Sequence, residues 1–157
     1  MIKRSIFLLM MMVALPVLAS CTSDEAADNK QTTASGDLQV KTASTQEMPE
    51  FLADKSEEMQ QLYLVVAQHK DLLESIPCYC GCGEFGHQDN YDCFIHENGE
   101  DGSVVWDDHA TRCQACLDIA ATSIVKYNEG ESIGNIRHMI DEQYQEGYAE
   151  PTPTPEI

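Results

Sequence analysis

Three cysteines lie within five residues, at Cys78, Cys80 and Cys82, in the stretch Ile76-Pro77-Cys78-Tyr79-Cys80-Gly81-Cys82-Gly83. Proline before them, with glycines between and after them, makes a tight loop that presents sulfur atoms together. Downstream come Cys93 and the pair Cys113-Gln114-Ala115-Cys116, with His87, His96 and His109 interspersed. Thiolate and imidazole bind zinc and thiophilic ions such as Cu(I), and a Cys-x-Cys pair is short enough to grip the latter. On a helix, His109, Cys113 and Cys116 stand at i, i+4 and i+7, within about 60° of one another, and so share a face. Three donors on one face are most of a tetrahedral site, and Cys78, Cys80, Cys82, Cys93 or His87 can supply the fourth. The candidate metal ligands are therefore Cys78, Cys80, Cys82, His87, Cys93, His109, Cys113 and Cys116, and the candidate cofactor is a copper or zinc ion.

A seventh cysteine, Cys21, closes Leu18-Ala19-Ser20-Cys21, a tetrapeptide that resembles a bacterial lipobox. Met1-Ile2-Lys3-Arg4 supplies a positive start, and Ile6 to Leu18 is an apolar run too short to span a membrane comfortably, as in a signal peptide. The resemblance implies cleavage before Cys21, lipid attached to its sulfur, and a cell-membrane location facing outside the cytoplasm. Six other cysteines remain, an even number in a small exported domain, which also suits a disulfide framework. Cys-x-Cys spacings are strained as internal disulfides, and the histidines cluster where the cysteines do, which a framework does not require. Metal binding is therefore placed ahead of disulfides alone, and a mixture of the two stays open.

Cys113 and Cys116 also carry a redox alternative, because a Cys-x-x-Cys pair near a helix start has its thiolate stabilised by the helix dipole. A disulfide-stapled module binding another envelope protein is the remaining alternative. The formal charge of -18 repels phosphate backbones, so nucleic acid is excluded as a partner. No Ser/His/Asp arrangement, phosphate-binding glycine loop or carboxylate pair argues for a hydrolase or transferase. The acidic, glycine-containing run around Asn98-Gly99 and Asp101-Gly102 lacks the spacing of an EF-hand and reads as solvated turn.

Positioning these residues falls to a small chain. Residues 1–20 read as the lipoprotein signal peptide and 21–49 as the lipidated cysteine and a disordered linker, rich in Ser, Thr, Ala, Asp and Gln. Residues 50–148 are the Cys/His-rich helical domain, and 149–157 an extended Pro/Thr tail with no further role. The first helix is expected from an Asp54 cap to about Ser75, with Leu62, Val66, His69, Leu73 and Ile76 on one stripe that carries His69 towards the cysteines. Pro77 then stops it at the cysteine loop. Cys93 to His96 and Ser103 to Trp106 can pair as a short hairpin around Asn98-Gly99 and Asp101-Gly102. A second helix, capped by Asp107 or Asp108, runs to about Asn128 and buries Ala110, Cys113, Leu117, Ala120, Ile124 and Tyr127. A third, capped by Ser132, buries Ile133, Ile136, Ile140 and Tyr144. The fold class is thus mainly α: three helices, an irregular cysteine-rich loop and a short β-hairpin between the first two. Among the other histidines, His69 reads as a packed helix-edge residue, His138 as solvated and His96, beside the turn, as either a surface residue or a ligand. Trp106 and Phe94 read as core, and Asp107 or Asp108 could orient His109.

Pro77-Cys78-Tyr79-Cys80-Gly81-Cys82 resembles the signature of the bacterial PCYCGC-motif lipoproteins. Gly86-His87, Cys93-Phe94-Ile95, Trp106-Asp107-x-His109, Cys113-x-x-Cys116-Leu117 and Gly147-Tyr148 before Pro151-Thr152-Pro153-Thr154-Pro155 extend the likeness over about residues 57–155. That resemblance implies a lipoprotein but no assigned activity. Residues 112–147 look in outline like the cytochrome c maturation protein CcmH, with Arg112-Cys113-x-x-Cys116, a helix and Glu129-Gly130-Glu131-Ser132 opening another. They depart from its pattern at Gln114 and Leu117.

Overall fold

A computed structural model of the protein describes residues 29–155. The signal-peptide and Cys21 expectations lie outside the described residues. Strands β1 (Lys30–Thr32) and β2 (Leu38–Thr42) come first, followed by helices α1 (Glu57–Val66) and α2 (Lys70–Leu73). The hairpin β3 (Ile95–Asn98) and β4 (Val104–Asp107) and helices α3 (Gln114–Asn128) and α4 (Ile133–Tyr144) complete the order. Single 3-10 turns at Glu50–Leu52, Cys82–Phe85, Tyr91–Cys93 and His109–Arg112 lie between them.

The strands form one antiparallel sheet in the order β1-β2-β4-β3. With 43% of the residues helical and 13% in strands, the fold is mixed α/β, which corrects the expectation of a mainly α three-helix domain. The reason lies in residues 30–42, expected to belong to the disordered linker. They are polar because β1 is an exposed edge, and β2 is held by its neighbours, with Val40 opposite Trp106 and Thr42 opposite Val104. Backbone pairing across a sheet supplies order that local composition does not advertise.

The hairpin forms where its turn residues indicate. A bulge between Ile95 and Glu97 makes His96 the extra residue and turns it to solvent. Trp106 and Phe94 are fully buried. The Trp106 indole N–H donates to Thr42 at 2.8 Å, and Tyr63 of α1 donates to the Asp107 carbonyl at 3.0 Å while its ring meets Phe94 edge-on at 4.9 Å. Each such aromatic contributes about 1.5–3 kcal/mol by burial, so this trio fastens the sheet to the helices.

The first predicted helix is two. Ser56, not Asp54, is the cap, accepting from the Met59 N–H at 3.3 Å. The α-helix ends at Val66, and His69, at φ -121° and ψ 36°, separates it from α2. Its Nδ1 pairs with the Val65 carbonyl at 2.8 Å, and its ring meets Tyr127, away from the thiols. The second predicted helix starts late, after the His109–Arg112 turn, and its buried residues are Cys116, Ile119, Ala120, Ser123 and Ile124. Leu117 is only half-buried and Tyr127 is exposed, because a helix begun at Gln114 takes its phase from Cys116. The third helix matches its expected cap, with Ser132 accepting from the Asn135 N–H at 3.2 Å. Ile136, Ile140 and Tyr144 are its buried line, with Ile133 half-buried. Among the described residues, no helix is long and apolar enough to cross a membrane.

Candidate metal centre

Four segments converge on one point. Pro77 ends the helical run, and Gly81, at φ 87°, turns the chain between Cys80 and Cys82, a conformation that side-chain-bearing residues rarely adopt. The Tyr91–Cys93 turn carries Cys93 inward, held by the Asn90 N–H donating to the Ile76 carbonyl at 2.9 Å. The 3-10 turn after β4 sets down His109, and the start of α3 supplies Cys113 and Cys116. Cys113 is itself the cap of α3, its sulfur accepting from the Cys116 N–H at 3.3 Å.

All eight predicted ligands meet there, and all six cysteines among the described residues are free thiols. Donor atoms of Cys80, His109, Cys113 and Cys116 lie within 4.8 Å of one another, as do those of Cys82, His87, Cys93 and His109. Cys78 joins both regions, falling within the same distance in one group with Cys93 and Cys116 and in another with Cys80 and Cys82. Sulfur–sulfur distances are 3.4 Å for Cys78–Cys116, 3.6 Å for Cys78–Cys80 and Cys80–Cys116, and 3.7 Å for Cys82–Cys93. Cys80 Sγ is 3.5 Å from His109 Nε2. Around a tetrahedral ion with bonds of about 2.3 Å to sulfur and 2.0–2.1 Å to nitrogen, the edges come to about 3.8 Å and 3.6 Å. Apart from Cys113–Cys116, these pairs are close to the spacing that ligands of one tetrahedral ion would have. Cys113 and Cys116 are closer, at 2.7 Å, still longer than the roughly 2.05 Å of a disulfide.

The surroundings hold this geometry from both ends of the chain. His109 Nδ1 faces Asp37 Oδ1 at 3.1 Å, leaving Nε2 towards Cys80. Such a carboxylate fixes the tautomer and ring orientation of a ligating histidine. Asp37 is in turn held by Ser35 and by Arg112 at 2.6 Å. Asp107, expected as a cap or an orienting acceptor, accepts instead from the His109 backbone N–H at 2.8 Å and from Gln39 at 2.9 Å. At the other end, the Cys78 N–H donates to Thr152 Oγ1 at 2.9 Å, and the Thr152 N–H donates back to the Cys78 carbonyl at 3.0 Å. The Pro/Thr tail therefore straps the cysteine loop, which corrects its reading as a segment without a role. Asp37 and Thr152 are the residues touching the candidate site that sequence reasoning misses. The Pro-Thr repeat is a signal for Thr152, whereas nothing near Asp37 distinguishes it from other polar chain.

The charges of these donors depend on one another. Hydrogen bonds from Cys113 and Cys116 drive the Cys80 thiol far below its ordinary range, and one from Cys116 lowers Cys78 to about 4. Cys116 is pushed up by its bonds to Cys113 and Cys78, Cys82 by Cys78 and Cys80, and Cys93 by burial. Burial works to lower His109, but Cys113 and Cys80, with the charges of Cys80 and Asp37, outweigh it and push it up to about 11. Asp37 shows the converse: burial raises it, and Ser35, His109 and Arg112 together hold it below the usual range. Without a cation, some sulfurs stay thiolate only because others keep protons. A bound metal would replace those protons and free every thiol as a ligand.

His87 is nearly buried at 9% exposure, stands edge-on to His109 with ring centres 4.9 Å apart, and has a buried Nδ1 without a hydrogen-bond partner. His96 and His138 are exposed and apart from the cluster.

A protein-family profile described as "protein of unknown function with PCYCGC motif" matches residues 9–157. The chain belongs to that family. The hexapeptide that names it is the loop carrying Cys78, Cys80 and Cys82. No curated protein and no solved structure gives a match. The outline likeness of residues 112–147 to CcmH finds no support in these comparisons.

Proposed function

We propose that the protein is a membrane-tethered, extracytoplasmic lipoprotein that binds a thiophilic metal ion, zinc or copper, through its Cys/His cluster. The observation that carries this reading is the convergence of free thiols and His109 Nε2 at the edge lengths of a tetrahedral site. The tether rests on Cys21 and its lipobox-like context, with lipid as the membrane contact and an envelope protein as a further candidate partner. Three thiolates with one imidazole suit zinc, and the crowded cysteine loop suits Cu(I), for which few ligands suffice.

Native mass spectrometry of the full chain carrying Cys21→Ser, purified in detergent without oxygen, tests the metal reading. A discrete mass that disappears on denaturation is expected. Cys113→Ser with Cys116→Ser should lower the amount of bound metal, and an unchanged metal content would refute those ligands. The lipid reading predicts an acyl mass on the wild-type chain that Cys21→Ser removes.

One observation favours a second reading. Cys113 caps α3 with Cys116 one turn on, the placement of a redox dithiol at a helix start. A reduction potential close to that of the compartment, with no bound ion, would put this reading first.

A further inference from the structure

We infer that the cluster holds two metal ions side by side, each four-coordinate, rather than one. This rests on the metal-binding reading and deepens it. Eight donors are twice what one tetrahedral ion accepts. They divide by geometry into an outer quartet, Cys80, His109, Cys113 and Cys116, whose donor atoms all lie within 4.8 Å of one another. The inner quartet is Cys78, Cys82, His87 and Cys93. Its Cys82, His87 and Cys93 fall within that distance in a group that His109 completes, Cys78 lies equally close to Cys80 and Cys82 in one group and to Cys93 and Cys116 in another, and Cys82 and Cys93 are 3.7 Å apart.

His109 cannot complete both quartets. Its Nε2 faces Cys80 and its Nδ1 is engaged by Asp37, so one nitrogen is available for one ion. Cys78 supplies the missing inner donor, and at 3.4 Å from Cys116 it brings the two quartets into sulfur contact. An independent observation points the same way. His87 Nδ1 is buried without a partner, in a side chain grouped both with Cys82 and Cys93 and with the Asp37 and Asp107 carboxylates, and an unpartnered imidazole nitrogen among such donors is consistent with a cation there. Charge agrees with divalent, zinc-like ions: six thiolates carry about six negative charges, and two dications leave about two for surrounding N–H donors to offset, whereas one leaves about four in a buried site.

Cd(II) is the probe, added to the full chain carrying Cys21→Ser and read by native mass spectrometry and by the ultraviolet sulfur-to-cadmium charge-transfer band. The band separates thiolate-bound ions from any held loosely by surface carboxylates. Two equivalents are expected, with the band rising linearly until both are bound. Cys113→Ser and, separately, His87→Ala should each lose one equivalent and keep the other. Saturation at one equivalent in the unsubstituted cluster overturns the two-ion assignment and leaves the metal-binding reading intact. No thiolate-bound ion overturns both. Loss of both ions from Cys113→Ser and from His87→Ala alike, in folded protein, would show one indivisible cluster and overturn the division into quartets.

Discussion

The two ends of the thiol cluster differ in what surrounds them. At the outer end, Cys80, His109 and Cys113 are partly exposed, and the ring of His109 is held by Asp37 and, through it, by half-exposed Arg112. At the inner end, Cys78, Cys82 and Cys93 are at most 1% exposed and belong to the hydrophobic core, in one cluster with Ile76, Tyr79, Phe94 and Trp106. Apart from Cys116, which is as buried as the inner thiols, the outer end lies nearer solvent and is held by charge, whereas the inner end is built into the packing that holds the helices to the sheet. A cleft of about 530 Å³ lined by Glu74, His87, Asp89, Asp92 and His96 reaches the inner end through His87. An ion lodged there fills core, and its removal leaves buried thiols with no counter-charge.

The largest effect should therefore come from taking metal away. An ion present at about a thousand times its dissociation constant stabilises the folded state by about 4 kcal/mol, and urea unfolding with and without a chelator measures the difference. Cys82→Ser should forfeit more of that gain than Cys113→Ser, because its thiol lies in the core. Equal losses would erase the contrast between the two ends. Next in size is Asp37→Asn, which removes the charge that holds His109 without touching a thiol. Loss of such an orienting partner costs about 10–100-fold in metal affinity. Competition titration should show that loss at the outer end alone, and a matching loss at the inner end would mean that Asp37 acts through the fold.

The same contrast explains what the sequence revealed. The candidate cluster was readable because thiol chemistry is concentrated in a few residues whose types have few other uses, and the fold brings all eight named side chains together. Ser132 and the hairpin around Asn98-Gly99 were readable because caps and turns are local devices. The sheet was not. Gln39, Val40 and Thr42 look like linker until Asp107, Trp106 and Val104, more than sixty residues on, stand opposite them. Asp37 was lost with them, since a carboxylate in Ser35-Gly36-Asp37 gains meaning only when β2 brings it to His109. The late start of α3 was hidden for a different reason. Cys113 is not a usual cap, and its sulfur takes that place where Asp107 and Asp108 offered oxygen.

The smaller effects test whether the inner end depends on the chain terminus as well as on metal. Thr152 accepts from the Cys78 N–H, and both residues are buried. Thr152→Val keeps the shape and removes the acceptor, leaving a buried donor unmatched at about 1–2 kcal/mol. Hydrogen exchange should show the Cys78 amide losing protection while amides in β1 and β2 keep theirs. Bound metal should recover part of that loss if the strap and the ion hold the same loop; if it recovers none, the tail anchors only itself. Ser132→Ala sets the scale, because its cap at the start of α4 is worth about 1 kcal/mol and lies on exposed backbone away from every thiol. That loss should be the same with and without metal. A metal-dependent Ser132 effect would mean that α4, whose Tyr144 ring stacks on Tyr79 of the cysteine loop, belongs energetically to the inner end, and the contrast would then divide the whole molecule rather than its thiols alone.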